Sequence, residues 1–552
     1  MTENLFLQFP VSALILFVSC DMIIRKFHKK EGITTIKHTK KKTWNSLSAV
    51  LLILTVLSEL VVAFALWKLQ VLPLKFIALG AFGMVVITWL LSLLLFQKVG
   101  KWQKNVGHTK QVIGYVLCLI LMVGCGAGTF AISKLNQTVS AITQPSTIST
   151  IFGVYVLAED PAQTIEDTAG YHFTIVNAVE PEQTSLAAVE IETLLDGNLT
   201  IQNVESINVQ LEGLYNGSVN AVILNQSYAD ILPEVEGYED FNTRTRLIHE
   251  VSLIEEVEVT EPVEEEILPE ETQETEPEII EIDPTTMPFI MYLSGSDTRA
   301  SVLVKSRSDV NILAVVNPVT KQILLVNTPR DYYVPNPAGN GEMDKLTHCG
   351  LYGIENSMKA LGNLFGHRVS YYAQINFTGF KTLINCIGGV TVYSDAAFIA
   401  QEADFQVVYG NNHMDGEQAL AFARERYNVS GGDIGRGKNQ MKLIKAVVDK
   451  MTSSALLKNY SAILDSLQGM FTTNFTQEEI TDVIKMQLDD MASWEVYTFA
   501  LSGEGGSNTN FSMPGLNSYV MYPNETLVNK ASDLMGMMLS GETITQDDLT
   551  VE

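Results

Sequence analysis

At 552 residues the chain exceeds one ordinary domain, and two to four folding units are expected. Apolar residues make up 46% and charged residues only 18%, which is greasy for a soluble protein, and the excess lies near the N-terminus. The formal net charge is -27, and a nucleic-acid site would want a broader basic surface with aromatic interleaving than the arginine-bearing stretch of the C-terminal half offers.

In chain order, residues 1–135 read as a membrane region. Three segments, Leu47–Trp67, Phe76–Phe96 and Gln111–Ile132, are each long enough to cross a hydrocarbon core of roughly 30 Å. Leu5–Ile24 is a weaker fourth candidate because it carries Pro10 and Asp21, and it lacks the basic start and cleavage site of a signal peptide. Basic residues cluster after Ile24 (Arg25, Lys26, Lys29, Lys30, Lys37, Lys40, Lys41, Lys42) and after Phe96 (Lys98, Lys101, Lys104, Lys110), so both loops are expected to be cytoplasmic. The third strong span then exits, and everything after about Ser133 is expected outside the cell. The expected location is a multi-pass protein of the cell membrane with external C-terminal domains. Glu59 lies inside a span, where a carboxylate is expected to be protonated or to face a neighbour.

Residues 146–253 alternate short apolar runs with polar helical stretches and read as a small accessory α/β domain. No catalytic constellation is visible in it. An acidic linker follows over 254–285: Glu255–Asp283 holds fourteen acidic residues, no Lys or Arg, and prolines at 262, 269 and 277. It carries about half of the net negative charge, so the overall acidity says little about the site downstream. Cys349 and Cys386 are external, where a disulfide is permitted, but two unpaired residues are the default.

Residues 286–540 read as a second, layered α/β domain with a central mixed sheet. "PFIMYLS" is a strand running into "GSD"; "DVNILAVVNPVTKQILLVNTPRD" is two strands joined by an Asn-Pro turn. "YGIENSMKALGNLFG" is an amphipathic helix, "DGEQALAFARER" a helix with an Asp cap, and "GRGKNQMKLIKAVVDKMTSS" a long helix. The tail, Asn459–Glu552, is expected to add a helix or two and one strand.

Seven of the ten arginines fall in this domain's stretch: Arg299, Arg307, Arg330, Arg368, Arg424, Arg426 and Arg436. Asp297 directly follows the first strand and Asp309 opens the second, so the two carboxylates can face one cavity; loop capping is the alternative for each. Arg307 and Asp309, two apart in an extended segment, point the same way. Arg330 ends a strand, Arg424 and Arg426 flank a helix end, and Arg436 and Gln440 lie one turn apart at a helix start. Singly, each arginine reads as a surface ion pair. Together they favour a polyphosphate site, because the guanidinium fork suits phosphate oxygens. Asp297 and Asp309 as hard oxygen ligands suit Mg²⁺, which takes one or two carboxylates plus phosphate oxygens and water.

The run "SGSDTR…SRSDVNILAVVNPVTKQILLVNTPRDYYVP…DKLTHCGLYG…INFTGF…IGGVTV…DGEQALAFARERY…GDIGRGKNQ" resembles the LytR-CpsA-Psr family of cell-wall glycopolymer transferases, over Pro288–Lys450 most strongly. The spans and the accessory domain resemble its capsule-associated streptococcal branch. The resemblance implies an α/β domain that holds a polyprenyl tail in an apolar tunnel with the pyrophosphate at its mouth. It implies transfer of a glycan phosphate from an undecaprenyl-pyrophosphate carrier to peptidoglycan, with Mg²⁺, in a Gram-positive bacterium. By position, Asp297 and Asp309 match the family's metal-linked aspartates, and Arg307, Arg330, Arg424, Arg426 and Arg436 its phosphate-binding arginines. Gln440 matches its helix glutamine and Lys345 the lysine of its "K-[LI]-[TN]-H" motif. Lys438, Met441 and Cys349 depart from the common pattern.

The expected catalytic set is therefore Asp297, Asp309 and Arg330, with Asp297 or Asp309 assisting deprotonation of the attacking hydroxyl. Expected partners are the lipid-linked glycan, peptidoglycan, the membrane, and capsule export or length-control proteins, with no nucleic acid. The rival reading is a polyprenyl-phosphate-binding regulator of polymer export or length, without transferase activity.

Overall fold

The computed structural model describes residues 37–69, 74–96, 108–143, 147–177, 180–256, 282–296, 304–452, 463, 466–467 and 469–551. Asp297, Arg299, the Leu5–Ile24 stretch and most of the acidic linker lie outside the described residues. The chain falls into two units: Met1–Lys68 with Leu74–Ala131, and Leu69–Pro73 with Ile132–Glu552.

The first unit is built on three helices, α1 (Lys37–Leu69), α2 (Leu74–Leu95) and α3 (His108–Thr143). Within them Ser46–Leu66, Lys75–Leu95 and Lys110–Ser133 are long and apolar enough to cross a membrane. Phe64, Leu79, Phe82, Val123 and Phe130 are all exposed, an apolar surface that soluble proteins rarely leave open. Glu59 faces a neighbour, as expected: the Thr88 hydroxyl lies 2.7 Å from each of its carboxylate oxygens.

In the second unit the accessory domain comes first. Its elements are β1 (Thr147–Leu157), β2 (His172–Ile175), α4 (Pro181–Leu194), β3 (Thr200–Asn203), α5 (Ile207–Tyr215), β4 (Ala221–Asn225), α6 (Gln226–Ala229), α7 (Phe241–Arg244) and β5 (Thr245–Glu256). They form a five-stranded sheet in the order β3-β2-β4-β1-β5. Every residue of β4 is buried, so the sheet is covered on both faces. Phe152, Phe173 and Ile191 fill one side, and Leu211, Leu214 and Leu224 the other. The second of these cores runs on into the next domain through Leu351, Met513 and Leu516. Backbone bonds reinforce the contact, Lys305 N–H to Ser149 O at 3.0 Å and Glu236 N–H to Asn517 O at 3.1 Å.

The C-terminal domain opens with β6 (Phe289–Ser296), β7 (Val310–Asn317), β8 (Gln322–Asn327), β9 (Tyr333–Pro335), β10 (Met343–Lys345), α8 (Leu346–Cys349) and α9 (Ile354–Phe365). Then come β11 (Tyr371–Asn376), α10 (Phe377–Cys386), β12 (Val390–Ser394), β13 (Phe398–Ala400), β14 (Phe405–Val407), β15 (Gly410–Met414), α11 (Gly416–Arg424) and α12 (Asp433–Met451). It closes with β16 (Phe471–Thr473), α13 (Gln477–Asp490), β17 (Glu495–Ala500), β18 (Gly503–Asn510), β19 (Met513–Pro523) and α14 (Glu525–Leu539). Six strands make the central mixed sheet in the order β16-β11-β6-β7-β8-β17. Alternation sorts the two faces. Leu313, Val315, Leu324 and Val326 pack with α9 and α14, whereas Ile312, Ala314, Ile323 and Leu325 pack with Met441 of α12. The result is the expected three-layer arrangement.

Local signals behave as their chemistry dictates. Asn317 Oδ1 accepts from Val319 and Thr320 N–H to close the β7–β8 turn. Asp415 and Gln418 form a capping box that starts α11. The tail differs from expectation. It contains the additional hairpin β18–β19 as well as β16. "GEGGSNTN" has glycines and polar residues where a strand normally shows apolar alternation, so it reads as a loop. Its partner β19 supplies the pairing, and Met513 and Leu516 anchor the hairpin in the core shared with the accessory domain. Cys349 and Cys386 are unpaired.

Candidate active site

The site lies where β6, β7 and β8 end. Gly295 pairs with Val310, so the C-terminal end of β6 and the start of β7 lie at one end of the sheet. Asp309 N–H bonds Gly295 O at 3.0 Å, fixing that residue's backbone. Beneath it sits a buried polar network. The Tyr292 hydroxyl is 2.6 Å from both Ser308 Oγ and Asn311 Oδ1, and Asn311 Nδ2 donates to Ser308 O at 2.9 Å. These bonds pin the Arg307-Ser308-Asp309 segment from below. From the next loop, Thr347 N–H bonds Arg330 O at 2.8 Å and Ser308 N–H bonds Thr347 O at 3.1 Å. Asp344 holds that loop by accepting from Asn336 Nδ2 at 3.0 Å and lying 2.7 Å from His348 Nδ1.

On this scaffold three cations converge from separate segments. Arg330 Nη1 donates to Asp309 Oδ1 at 2.8 Å, and its Nε lies 3.7 Å from Asp331 Oδ2 without a hydrogen bond. Lys345 Nζ is 3.5 Å from Asp331 Oδ1 and its side chain is 1% exposed. The third cation, Arg307, meets the other two at Glu234. Glu234 Oε1 accepts from Arg307 Nη1 at 2.9 Å and from Arg330 Nη2 at 3.0 Å, and its Oε2 lies 3.7 Å from Lys345 Nζ. The accessory domain, which showed no catalytic constellation in its sequence, thus places a carboxylate inside the cluster.

Charge and burial compete here. Burial pushes the Asp309 carboxyl up, but the Arg330 and Arg307 guanidiniums, with a smaller contribution from Arg436, bring it below the ordinary carboxylate range. Burial likewise opposes the charge on Glu234; Arg330, Arg307 and Lys345 overcome it and hold the carboxyl at about 2. Arg330 is disfavoured by burial yet driven above its ordinary value by Asp309, Asp331 and Glu234, so it stays charged. Asp230, also from the accessory domain, goes the other way: burial raises it, Arg307 opposes the rise, and Asp309 adds to it.

Not every predicted residue joins this cluster. Arg436 lies in the first turn of α12, pairs with Asp433, and acts on the cluster through its field on Asp309. Gly431 and Gly432, with φ of 85° and 55°, supply the left-handed backbone that turns the chain into α12. Arg424 pairs with Glu402 and lies 4.5 Å over the Phe377 ring. Arg426 donates to the Tyr427 hydroxyl at 3.0 Å. Gln440 Nε2 donates to Ala423 O at 3.2 Å, tying α12 to the end of α11. Sequence reasoning missed Glu234 and Tyr292. Tyr292 is an ordinary apolar position of a strand, and Glu234 an ordinary turn residue after Pro233; neither carries a local signal.

Among the described residues no three His, Cys, Asp or Glu side chains lie close enough to cage an ion. Asp309 commits one oxygen to Arg330, and Asp297 lies outside the described residues. Asp309 suits a cation that takes one or two carboxylates and completes its shell with phosphate oxygens and water, and the described residues offer no all-protein cage.

Residues 258–532 match the LytR_cpsA_psr family. A polyisoprenyl-teichoic acid–peptidoglycan teichoic acid transferase TagU of Bacillus anthracis is 32% identical over 209 residues, 38% of this chain and 67% of that protein. The chain belongs to the LytR_cpsA_psr family. The TagU of Enterococcus faecalis is 37% identical over 204 residues, 37% of this chain, and the match spans 65% of that relative's length. The solved structure of Lin1025 from Listeria innocua is 29% identical, covers 46% of this chain and 100% of that one, and has a TM-score of 0.38.

Proposed function

We propose that the protein is a phosphotransferase that moves a glycopolymer, a capsular polysaccharide or a similar polymer, from an undecaprenyl-pyrophosphate carrier to peptidoglycan outside the cell. The observation that carries this reading is the convergence of Arg307, Arg330 and Lys345 on one anion, at a sheet end that also holds Asp309. Membership of the family supports it, as do the two TagU relatives, whose names describe transfer of teichoic acid to peptidoglycan.

In this reading a peptidoglycan hydroxyl oxygen attacks the phosphorus that carries the glycan. The bond from that phosphorus to the bridging oxygen breaks, and polyprenyl phosphate leaves with the electron pair. Arg307, Arg330 and Lys345 bind the pyrophosphate and stabilise the charge that grows on the leaving phosphate. Arg330 is oriented by Asp309 and Asp331 and remains protonated throughout. The hydroxyl proton goes to a carboxylate, Asp297 or Asp309. Asp309 is a weaker base than an ordinary carboxylate, because its guanidinium partners hold it in the ionised form. Mg²⁺, held by Asp309 and Asp297, would supply further neutralisation of phosphate charge when bound. Arg424, Arg426, Arg436 and Gln440 are proposed to line the donor's path beyond this cluster. We infer that the three apolar helices anchor the chain in a membrane, with the lysine-rich loops inside and this domain outside the cell, on the side where such a carrier lies.

The test mixes full-length protein in detergent with polyprenyl-pyrophosphate-linked glycan, Mg²⁺ and a peptidoglycan oligomer. Coupled glycan-peptidoglycan is the expected product, and release of free glycan phosphate would point to hydrolysis instead. The seating of Glu234 on the cations also favours a second reading, a lipid-phosphate-binding regulator. Bound lipid with no coupled product would support that reading over transfer.

A further inference from the structure

We propose that Glu234 is an internal occupant of the phosphate site: the accessory domain seats this carboxylate on Arg307, Arg330 and Lys345, and the lipid-linked donor binds by displacing it. The inference rests on the reading of this cluster as a pyrophosphate site.

The geometry is that of an anion in a phosphate cradle. One oxygen of Glu234 takes donors from two guanidiniums at 2.9 and 3.0 Å, and the other faces the Lys345 ammonium at 3.7 Å. Phosphate oxygens would use the same donors, in the bidentate and bridging manner that guanidinium groups favour. Carboxylate and phosphate cannot both take those donors, and two anions that close repel.

The occupant is also placed to leave. The side chains of Arg307, Arg330 and Lys345 are 8%, 9% and 1% exposed, whereas that of Glu234 is 31% exposed. It therefore enters from the solvent side and exits by rotation about its own side-chain bonds. Its backbone stays in place, because the flanking Leu232 and Val235 are buried and Glu236 N–H is bonded to Asn517 O at 3.1 Å. A residue so anchored returns when the site empties. The accessory domain thereby sets the apparent affinity of a site formed by the other domain's residues.

The test is binding of geranylgeranyl pyrophosphate, and separately of inorganic pyrophosphate, to full-length protein in detergent by isothermal titration calorimetry. Apparent affinity scales with the fraction of molecules whose site is open, so a site closed by Glu234 nine times in ten gains about tenfold when the occupant is removed. Glu234→Gln is expected to tighten both probes by about tenfold or more. Glu234→Asp, one methylene shorter with the charge kept, is expected to tighten them by less, and it decides the matter if the Gln variant does not fold. Binding that is unchanged or weakened in the variant overturns the displacement proposal and leaves the pyrophosphate site standing. Absence of binding to every form overturns both.

Discussion

Arg330 and Asp309 meet end to end across the tips of two neighbouring strands, Nη1 to Oδ1 at 2.8 Å. Both are largely buried, so the pair is a desolvated one whose members depend on each other. Asp309 keeps the guanidinium charged and aimed, and the guanidinium keeps Asp309 ionised. The remaining Arg330 nitrogens are thereby presented to whatever anion enters from the Glu234 side.

Replacing Arg330 separates its two roles. Arg330→Ala leaves Asp309 without its main partner and is expected to cost about 3–5 kcal/mol of stability. Arg330→Lys keeps the charge, but an ammonium cannot span Asp309 and an anion in the way a fork does. The expected outcome for Lys is a folded protein whose coupling rate falls by about 100-fold, the usual scale for losing a preorganised donor to a developing oxyanion. Coupling assays beside thermal melts check it. A lysine variant with full activity would remove Arg330 from the mechanism.

Tyr292 tests whether the site is supported from below. Its hydroxyl is the shared contact of Ser308 and Asn311, the residues that flank Asp309 on either side of the chain. Tyr292→Phe retains the ring's packing and removes one contact from each of those groups, which stay bonded to each other at 3.0 Å, at an expected cost of about 0.5–1.5 kcal/mol. Because Arg307 and Asp309 ride on this segment, weaker donor binding should accompany the lower melting temperature. A variant that melts earlier but binds pyrophosphate as wild type does would confine the network to stability.

Much of this was legible in the sequence, and the reasons differ by element. The three apolar helices, the β7–β8 turn at Asn317-Pro318 and the capping box at Asp415 each carry their signal within a few residues, so local chemistry suffices. Arg307, Asp309 and Arg330 were legible as a set because strand ends in a mixed sheet collect at one edge, whereas Lys345, in the separate β9–β10 pair, was legible only through the family motif. Arg424 and Arg426 show the limit of that logic. The expected helix end at Arg424 is present, but in this structure the side chains engage Glu402, Phe377 and Tyr427. Glu234 is 73 residues from Arg307 and reaches it only because two domains share one apolar core through Leu351, Met513 and Leu516. That docking has no periodicity to read. The hairpin β18–β19 was hidden for a related reason, since its glycine-rich strand is specified by its partner and by the docked domain.

Metal removal should affect coupling and leave the fold alone. No all-protein cage for a cation exists among the described residues, so little folding energy can depend on one. EDTA is expected to abolish transfer and to leave the melting temperature of donor-free protein unchanged, with Mg²⁺ restoring activity. Coupling at the full rate in EDTA would remove Mg²⁺ from the proposal.

Acid should loosen the contact between the domains, and Glu234 sets the window. Its carboxyl is held at about 2 in the fold against an ordinary 4.5. A depressed carboxyl contributes stability that is complete above the ordinary value and is lost as pH falls through the folded one. The contribution is therefore constant from neutral pH down to about 4.5 and disappears toward about 2. At 1.36 kcal/mol per unit the shift corresponds to at most about 3 kcal/mol, reduced by solvent screening of a partly exposed side chain. Asp309 and Asp344, both depressed, add in the same direction, while Asp230, which is raised, opposes them. Urea midpoints measured from pH 6 to pH 2 should fall for the wild type and fall less for Glu234→Gln, because the variant has no proton to take up at that position. Parallel curves for the two proteins would mean that the carboxylate at 234 is not held by the arginines in solution.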